Sequence, residues 1–414
     1  MTNKYVLFTN IRGVIDEQLA IYNATKACGY KIIMLAPSIP EHLKSLTDLY
    51  LVNDNKDEVN SLARSLDLAD KYNIEAVFSW TDTDVVLCSK IARALGISSI
   101  DVDAAYLARN KYEMRKTIFN HHPALVPLFA EISSIEDIEK HISKIGFPAV
   151  LKPISASGSK GIFKIHTLDE AFAAFENLTA LSDDAQEGWF YNRYGQKFIL
   201  ESFLLGQEFS VEGVVLNNEI FIAGITDKMT TSDWHLEYRH IFPANYPEDI
   251  CVAIEAATKK IIRALGMNHC PFHLEGKWTD DGFKLIEIAA RIGGDLIHTH
   301  LIKNSLNFNW LTFVIRSLTE KKFPAIPETS PRRYSGIQFI LAQDELPFAG
   351  LNTLSSADNI NGVIKIEELV PRGAAIVAPP QDFAMQRVGY VVAESNDFAS
   401  LEQLLNTISV ELTT

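Results

Sequence analysis

The chain has 414 residues, 47% of them hydrophobic and 22% charged, a globular composition that excludes collagenous, mucin-like and disordered classes. Lys+Arg 38 against Asp+Glu 52 leaves a net charge of −14; with no local basic cluster in the sequence, neither nucleic acid nor an anionic membrane is an expected partner. The length predicts two or three units, and the scattered Cys28, Cys88, Cys251 and Cys270 form no C-x-x-C pair, which excludes a disulfide framework or thiolate zinc site and points to the cytoplasm.

The amino terminus carries only a short apolar run around Tyr5–Phe8, too short for a signal-peptide core, and no later stretch of about 18 apolar residues supports membrane insertion. Tyr5–Phe8 reads as a strand, Val14 to Cys28 as an amphipathic helix stopped by Gly29, and Lys31–Leu35 as a second strand. Asp57–Tyr72 and Asp84–Leu95 are expected helices, and Ala76–Trp80 and Ile97–Ile100 expected strands. Strands alternating with helices predict an open parallel α/β unit over residues 1–105. Thr9-Asn10-Ile11-Arg12-Gly13 follows its first strand in place of G-x-G-x-x-G, which weighs against dinucleotide binding.

Next come a helix around Ala104–Phe119 and a strand–helix–strand over Val126–Pro153, with Ser134 as N-cap and Gly146 as stop. Thr167-Leu168-Asp169-Glu170 fits a capping box before the helix Ala171–Leu181. Phe198–Phe203, Glu208–Leu216 and Ile220–Thr226 suggest an antiparallel meander with Asn217-Asn218 as a turn. A helix at Ile250–Leu265, strands Pro271–Trp278 and Phe283–Ile288 joined at Asp281-Gly282, and a long helix from Asp295 to Leu318 complete a central unit, residues 106–328. Its lid lobe is expected at about 120–197. The Pro-rich Phe323–Pro331 segment marks a boundary, and residues 329–414 form a small β-rich subdomain.

Lys152 ends a buried strand and is followed by the small-residue loop Ser155-Ala156-Ser157-Gly158-Ser159-Lys160-Gly161. An ammonium beside backbone N–H groups suits phosphate, although the same loop also suits an exposed hairpin. Glu275 and Glu287 lie among apolar neighbours on adjacent strands. Buried carboxylates require a cation, either Mg²⁺, which favours hard oxygen ligands, or a neighbouring Lys277, Lys284 or Arg291 in a plain salt bridge. Arg291, followed by Ile292-Gly293-Gly294, sets a guanidinium beside amides that a ligand can approach closely. In Ile199-Leu200-Glu201-Ser202-Phe203-Leu204-Leu205-Gly206-Gln207-Glu208 a strand end can offer main-chain groups to a purine edge and a carboxylate to ribose hydroxyls. Lys228–Pro243, rich in aromatic and ionisable groups, reads as a loop that helps form an acceptor pocket, with Lys228 reaching the γ-phosphate and Trp234 and His240 at the substrate, or else as a packed surface loop. The spacings of His298 with His300 and of His269 with His273 are those of hydrogen-bonded core or surface residues more than of transition-metal ligands.

Taken in this order, these segments resemble the ATP-grasp superfamily over roughly residues 105 to 320. The resemblance implies an N-terminal open parallel α/β domain, a two-lobed nucleotide-binding domain and a C-terminal β-rich subdomain, an α/β and α+β fold. It implies ATP at Lys111, Lys152, the Ser157, Gly158, Ser159 and Gly161 loop, Glu201, Phe203, Leu204 and Glu208, to which the Lys228–Pro243 loop reading adds Lys228. It implies one or two Mg²⁺ ions, with Mn²⁺ as a substitute, at Glu275 and Glu287. It also implies catalysis by Arg291 and Lys152, with Arg291, Gly293 and Gly294 at the substrate, to which the loop reading adds His240 as a catalytic group and Trp234 and His240 as substrate contacts. His273-Leu274-Glu275 and Glu287–Asp295 look most like the L-amino-acid ligases that make dipeptides, which activate a carboxylate as an acyl phosphate and join it to an amine. Ala289 stands where many members carry an asparagine metal ligand. Two rivals share the site: a carboxylating or formyl-phosphate-type enzyme of purine or cofactor metabolism, and a nucleotide-binding regulatory protein without turnover. Similar proteins are commonly homodimers.

Overall fold

A computed structural model describes residues 3–413 apart from 12, 159, 185–187, 233–235, 327–332, 343–346, 353–359 and 378–385. The apolar runs of the first unit form β1 (Lys4–Phe8), β2 (Lys31–Ala36), β3 (Leu49–Val52) and β4 (Asn73–Phe78), all parallel, in the order β3-β2-β1-β4. Strand order reverses between β1 and β4. The loops after their carboxyl ends, Asn10–Val14 and Ser79–Asp84, therefore lie where open α/β sheets bind ligands. Ile97–Ile100 is not a strand. Gly96 ends the preceding helix at φ +68°, the Ile97 amide is engaged by the Ala92 carbonyl, and the chain enters the helix Val102–Leu107, capped by Asp101. The edge strand β3 was not foreseen; Leu49–Val52 is too short a run to stand out.

The second sheet is antiparallel, β5-β8-β6-β7, from β5 (Phe129–Ile132), β6 (Ala149–Pro153), β7 (Phe163–Ile165) and β8 (Phe198–Ser202). Two helices cover it. One is capped by Ser134 and stopped by Gly146; the other starts at Thr167, whose hydroxyl accepts from Glu170 N while Glu170 reaches back to His166 N. The expected three-strand meander is split, because β8 belongs to this sheet and not to the next. Gly206, at φ +148°, turns the linker between them where a Cβ would lie 2.1 Å from Trp278 O.

The third sheet has the order β13-β12-β9-β10-β11-β14-β16-β15. Its strands are β9 (Gln207–Leu216), β10 (Glu219–Thr230), β11 (Glu237–Phe242), β12 (Cys270–Thr279), β13 (Gly282–Ala289), β14 (Tyr334–Leu341), β15 (Val363–Glu368) and β16 (Arg387–Ser395). Asn217 and Asn218 both take positive φ in the β9–β10 turn, as a tight hairpin requires. The two ends of Lys228–Pro243 are strands: Lys228 pairs with His240 across β10 and β11. The β-rich C-terminal residues continue this sheet through β11–β14 pairing. The expected long helix after Asp295 is broken into Ile297–Leu301, a π-helical turn, Ile302–Leu306 and Trp310–Glu320. Asn307 takes φ +55° and Asn309 caps the last piece, so two asparagines interrupt an otherwise apolar pattern. Among the described residues no helix is long and apolar enough to cross a membrane.

Candidate active site

A cavity of about 640 Å³ opens where the three sheets meet, lined by Asp82, Lys111, Lys152, Glu275, Glu287 and Arg291 among others. A slot of about 110 Å³ adjoins it and shares Lys152, Ile162, Glu237, Glu275 and Ile286. Phe203, Leu204, Glu201 and Glu208 line the slot.

Most of the charged side chains here are placed by regular elements. Lys111 is the first residue of the helix Lys111–His121, whose N-cap Asn110 accepts from the amides of Tyr112 and Glu113. Its buried ammonium donates to Ala156 O at 2.6 Å and meets Glu287 at 2.8 Å. Burial lowers its pKa more than Glu287 raises it. Lys152, on β6, meets Glu201 of β8 at 2.6 Å, and Arg115 holds the other oxygen of Glu201 at 2.7 Å. Burial alone would raise the Glu201 carboxyl, but these two cations hold it below the usual range. Glu201 thus anchors two cations beside the slot.

Glu275 and Glu287 are direct partners across β12 and β13. Lys228, fully buried on β10, donates to Glu275 at 2.7 Å and to Glu237. Burial would lower the lysine, yet the two carboxylates drive it well above its ordinary value. The donor set fits Mg²⁺: paired hard carboxylate oxygens facing a cavity, each now against an ammonium, with Ala289 adding no third ligand. Glu208 lies 3.5 Å from Lys277, and burial pushes its carboxyl up to about 7 against the pull of Lys228 and Lys277.

Arg291 follows β13 and is clamped by Asp82 at 2.7 Å and by Ile292 O at 2.8 Å. Asp82 also meets Arg109, whose guanidinium donates to Ser155 O at 2.7 Å. The first unit, the phosphate-type loop and the β13 turn are therefore joined through one carboxylate. Ser157 and Gly158 line the large cavity, Gly161 turns at φ +72° against Pro153, and Ser159 lies outside the described residues. The Phe203 amide is engaged by Pro148 O.

At the far end of the cavity Val14, Leu296, Ile337, Phe339, Leu369 and Tyr390 form apolar walls. Arg387 lies across the Phe339 ring at 4.2 Å and meets Asp295 at 3.0 Å. His240 does not reach this surface: its ring is fully buried, 3.1 Å from Asp295. Trp234 lies outside the described residues. Gly294 lines the cavity, whereas Gly293 packs behind it against His273, His298 and Glu212. There Glu212 meets His273 at 2.9 Å and also meets His298. Burial alone would raise Glu212, but the two imidazoles hold it well below the usual range, and His273 is pushed up to about 9 by its carboxylate neighbours despite burial.

The sequence reading missed Asp82, Arg109, Arg115, Glu212, Glu237, Asp295 and Arg387. For Asp82 a signal existed, since it follows the last parallel strand at the reversal of strand order. Arg115 lies one helical turn after Lys111, on the same face.

Residues 145–300 match the family model described as ATP-grasp domain. Dapdiamide A synthase of Enterobacter agglomerans is 27% identical over 256 residues, 60% of this chain and 56% of that protein. Alanine–anticapsin ligase of Bacillus amyloliquefaciens is 26% identical over 306 residues, 69% of this chain and 64% of that protein. The chain thus spans 56% to 64% of the length of these curated relatives. Among solved structures, the L-amino acid ligase from Bacillus licheniformis superposes with TM-score 0.83 at 19% identity, covering 99% of this chain and 98% of that one.

Proposed function

We propose, from the premise that the chain carries an ATP-grasp domain and resembles ATP-grasp amino-acid ligases, that it is an ATP-dependent carboxylate–amine ligase. It activates a carboxylate, an L-amino acid in this reading, and joins it to an amine with release of ADP and phosphate. The observation that carries the reading is the pairing of Glu275 and Glu287 where the slot and the large cavity meet, each carboxylate beside a lysine.

A carboxylate resists nucleophiles because of its charge, so it is activated first. Its oxygen attacks the γ-phosphorus, the bond to the ADP oxygen breaks, and an acyl phosphate results. A neutral amine then adds to the acyl carbon and loses a proton, and phosphate leaves with the oxygen that began in the carboxylate. Glu275 and Glu287 would hold one or two Mg²⁺ ions, or Mn²⁺, which when bound neutralise phosphate charge. Lys111 and Lys152 exchange their carboxylate partners for phosphate oxygens. Ser157, Gly158, Ser159 and Gly161 cover the triphosphate. Phe203 and Leu204 flank adenine, with Glu201 still holding Arg115 beside it, and Glu208 accepts from ribose hydroxyls. Lys228 stands behind the γ-phosphate. Arg291, already fixed by Asp82, meets the charge that develops on the transferring group without reorganising. Gly294 lets that group approach the backbone. His240 acts through Asp295 on the substrate at the far end. Residues 1–105 and 329–414 flank the ATP-grasp unit, residues 106–328, and supply the walls at Val14, Phe339 and Tyr390. Cytoplasmic residence and a homodimer belong to the same reading.

Phosphate release is measured with ATP and Mg²⁺ under a panel of amino acids, with bicarbonate and formate in separate arms. Release that depends on amino acids, with a dipeptide mass in the product, is the expected result. Release with bicarbonate or formate alone would turn the assignment to the carboxylating or formyl-phosphate class. Tight ATP uptake with no release in any arm would turn it to a regulatory binder.

A further inference from the structure

Behind the carboxylate pair lies a hydrogen-bonded chain that the reaction as described does not use. Indole Nε1–H of Trp310 can only donate, and it meets Nδ1 of His298 at 2.9 Å. That nitrogen is therefore an acceptor, and the His298 proton sits on Nε2, directed at Glu212. Glu212, without exposed surface, also accepts from Ser210 at 2.6 Å and from His273 Nδ1 at 2.9 Å. The second nitrogen of His273 meets Glu275 at 3.0 Å. Both partners of His273 are carboxylates, so both its nitrogens donate. The direction of every bond is fixed: Trp310 donates to His298, His298 and His273 both donate to Glu212, and His273 also donates to Glu275.

Two features mark this chain as more than core packing. Well-packed apolar residues would fill the space at lower cost than a buried carboxylate between two imidazoles, and the chain ends on the cavity at His273 and Glu275. It also touches the turn that carries Arg291. A Cβ on Gly293 would stand 2.7 Å from His273 Nδ1, 3.1 Å from His298 Cδ2 and 3.2 Å from Glu212 Oε2. The turn can sit where it does only because Gly293 has no side chain.

We infer that Trp310, His298, Glu212 and His273 are positioning residues that hold Glu275 in the orientation needed for a divalent cation and set the Gly293 turn, and with it Arg291, against the same support. The inference rests on the nucleotide reading above and extends it to residues behind the carboxylate pair.

Its test is Mn²⁺ binding followed by electron paramagnetic resonance in the presence of ADP, beside ADP binding in EDTA by calorimetry. Glu212→Gln keeps the shape of the side chain but turns an N–H toward an imidazole N–H. It is expected to weaken Mn²⁺ in the ADP complex about ten- to a hundredfold, the range seen when partners of metal ligands are lost, and to change metal-free ADP affinity less than twofold. Gly293→Ala deletes no hydrogen-bonding group and is expected to give a similar loss by displacing His273. Trp310→Phe, which removes one donor at the far end, is expected to cost about threefold. Folded variants with wild-type Mn²⁺ affinity, or a lowered melting temperature with no change in metal affinity, would make the chain purely structural and overturn the inference. A transition metal retained by the wild type and lost in Glu212→Gln would overturn it in favour of a metal site at Glu212, His273 and His298. A wild type that binds neither ADP nor Mn²⁺ would instead remove the nucleotide reading on which it stands.

Discussion

At the end of the cavity beside the slot the ionised groups answer one another in pairs, Lys152 with Glu201, Lys111 with Glu287 and Lys228 with Glu275. At the far end Arg387 meets Asp295 among apolar walls contributed by segments as distant as Val14, Leu296, Phe339 and Tyr390. The first arrangement suits a ligand whose charges replace both members of a pair, phosphate for carboxylate and metal ion for ammonium. The second suits a molecule with a small polar end and a side chain to be measured for size. In the proposed reaction the first end takes the triphosphate and the second selects the substrate.

This contrast can be broken at either end. The largest effect is expected at the pair of acids: Glu287→Gln should lower ligand-dependent phosphate release about a thousandfold while leaving the fold intact by circular dichroism. Activity within tenfold of wild type would remove Glu287 from the metal site. Next comes Lys228→Met, which removes the ammonium shared by Glu237 and Glu275. Breaking a buried pair in this way should cost about 3–5 kcal/mol in chemical unfolding, and an unchanged midpoint would contradict the pairing.

At the far end, Arg387→Ala should raise KM for the best amino acid about tenfold or more and reorder the panel of accepted amino acids, with ADP affinity unaltered. A loss of ADP binding would show that the two ends are not separable. The smallest effect is a pH dependence. With its pKa raised to about 7, Glu208 is mostly protonated at pH 6 and ionised at pH 8. If ribose is held by the carboxylate, ADP affinity should rise about tenfold over that interval and binding should release a proton near neutrality. In Glu208→Gln the profile should be flat; a profile as steep as wild type would assign the titration to another group.

Beside the slot, the proximity of these residues was legible in the sequence because the parts are local. Lys152 and its loop are continuous, and Glu275 and Glu287 are joined by a tight hairpin, so spacing alone brings them together. The clamp of Asp82 on Arg291 joins positions 209 apart, and no periodicity predicts such a meeting. The Lys228–Pro243 segment was misread for a physical reason. Lys228, Arg239 and His240 are buried on central strands, and a pattern search that expects apolar residues at buried positions sees a polar loop. The strands around Phe198–Thr226 were found, but strand propensity does not say which sheet a strand joins, and the turn at Gly206 decided that. Glu212 gave no signal, since one acid within an apolar strand looks like an interruption until His273 and His298 are seen on either side of it.

The central claim is tested most directly by following oxygen. With ¹⁸O in the carboxylate of the stimulating amino acid, an acyl phosphate route transfers one labelled oxygen to each phosphate released, and mass spectrometry of that phosphate should show it in step with product. Unlabelled phosphate accompanying amide formation would contradict activation of the carboxylate by ATP.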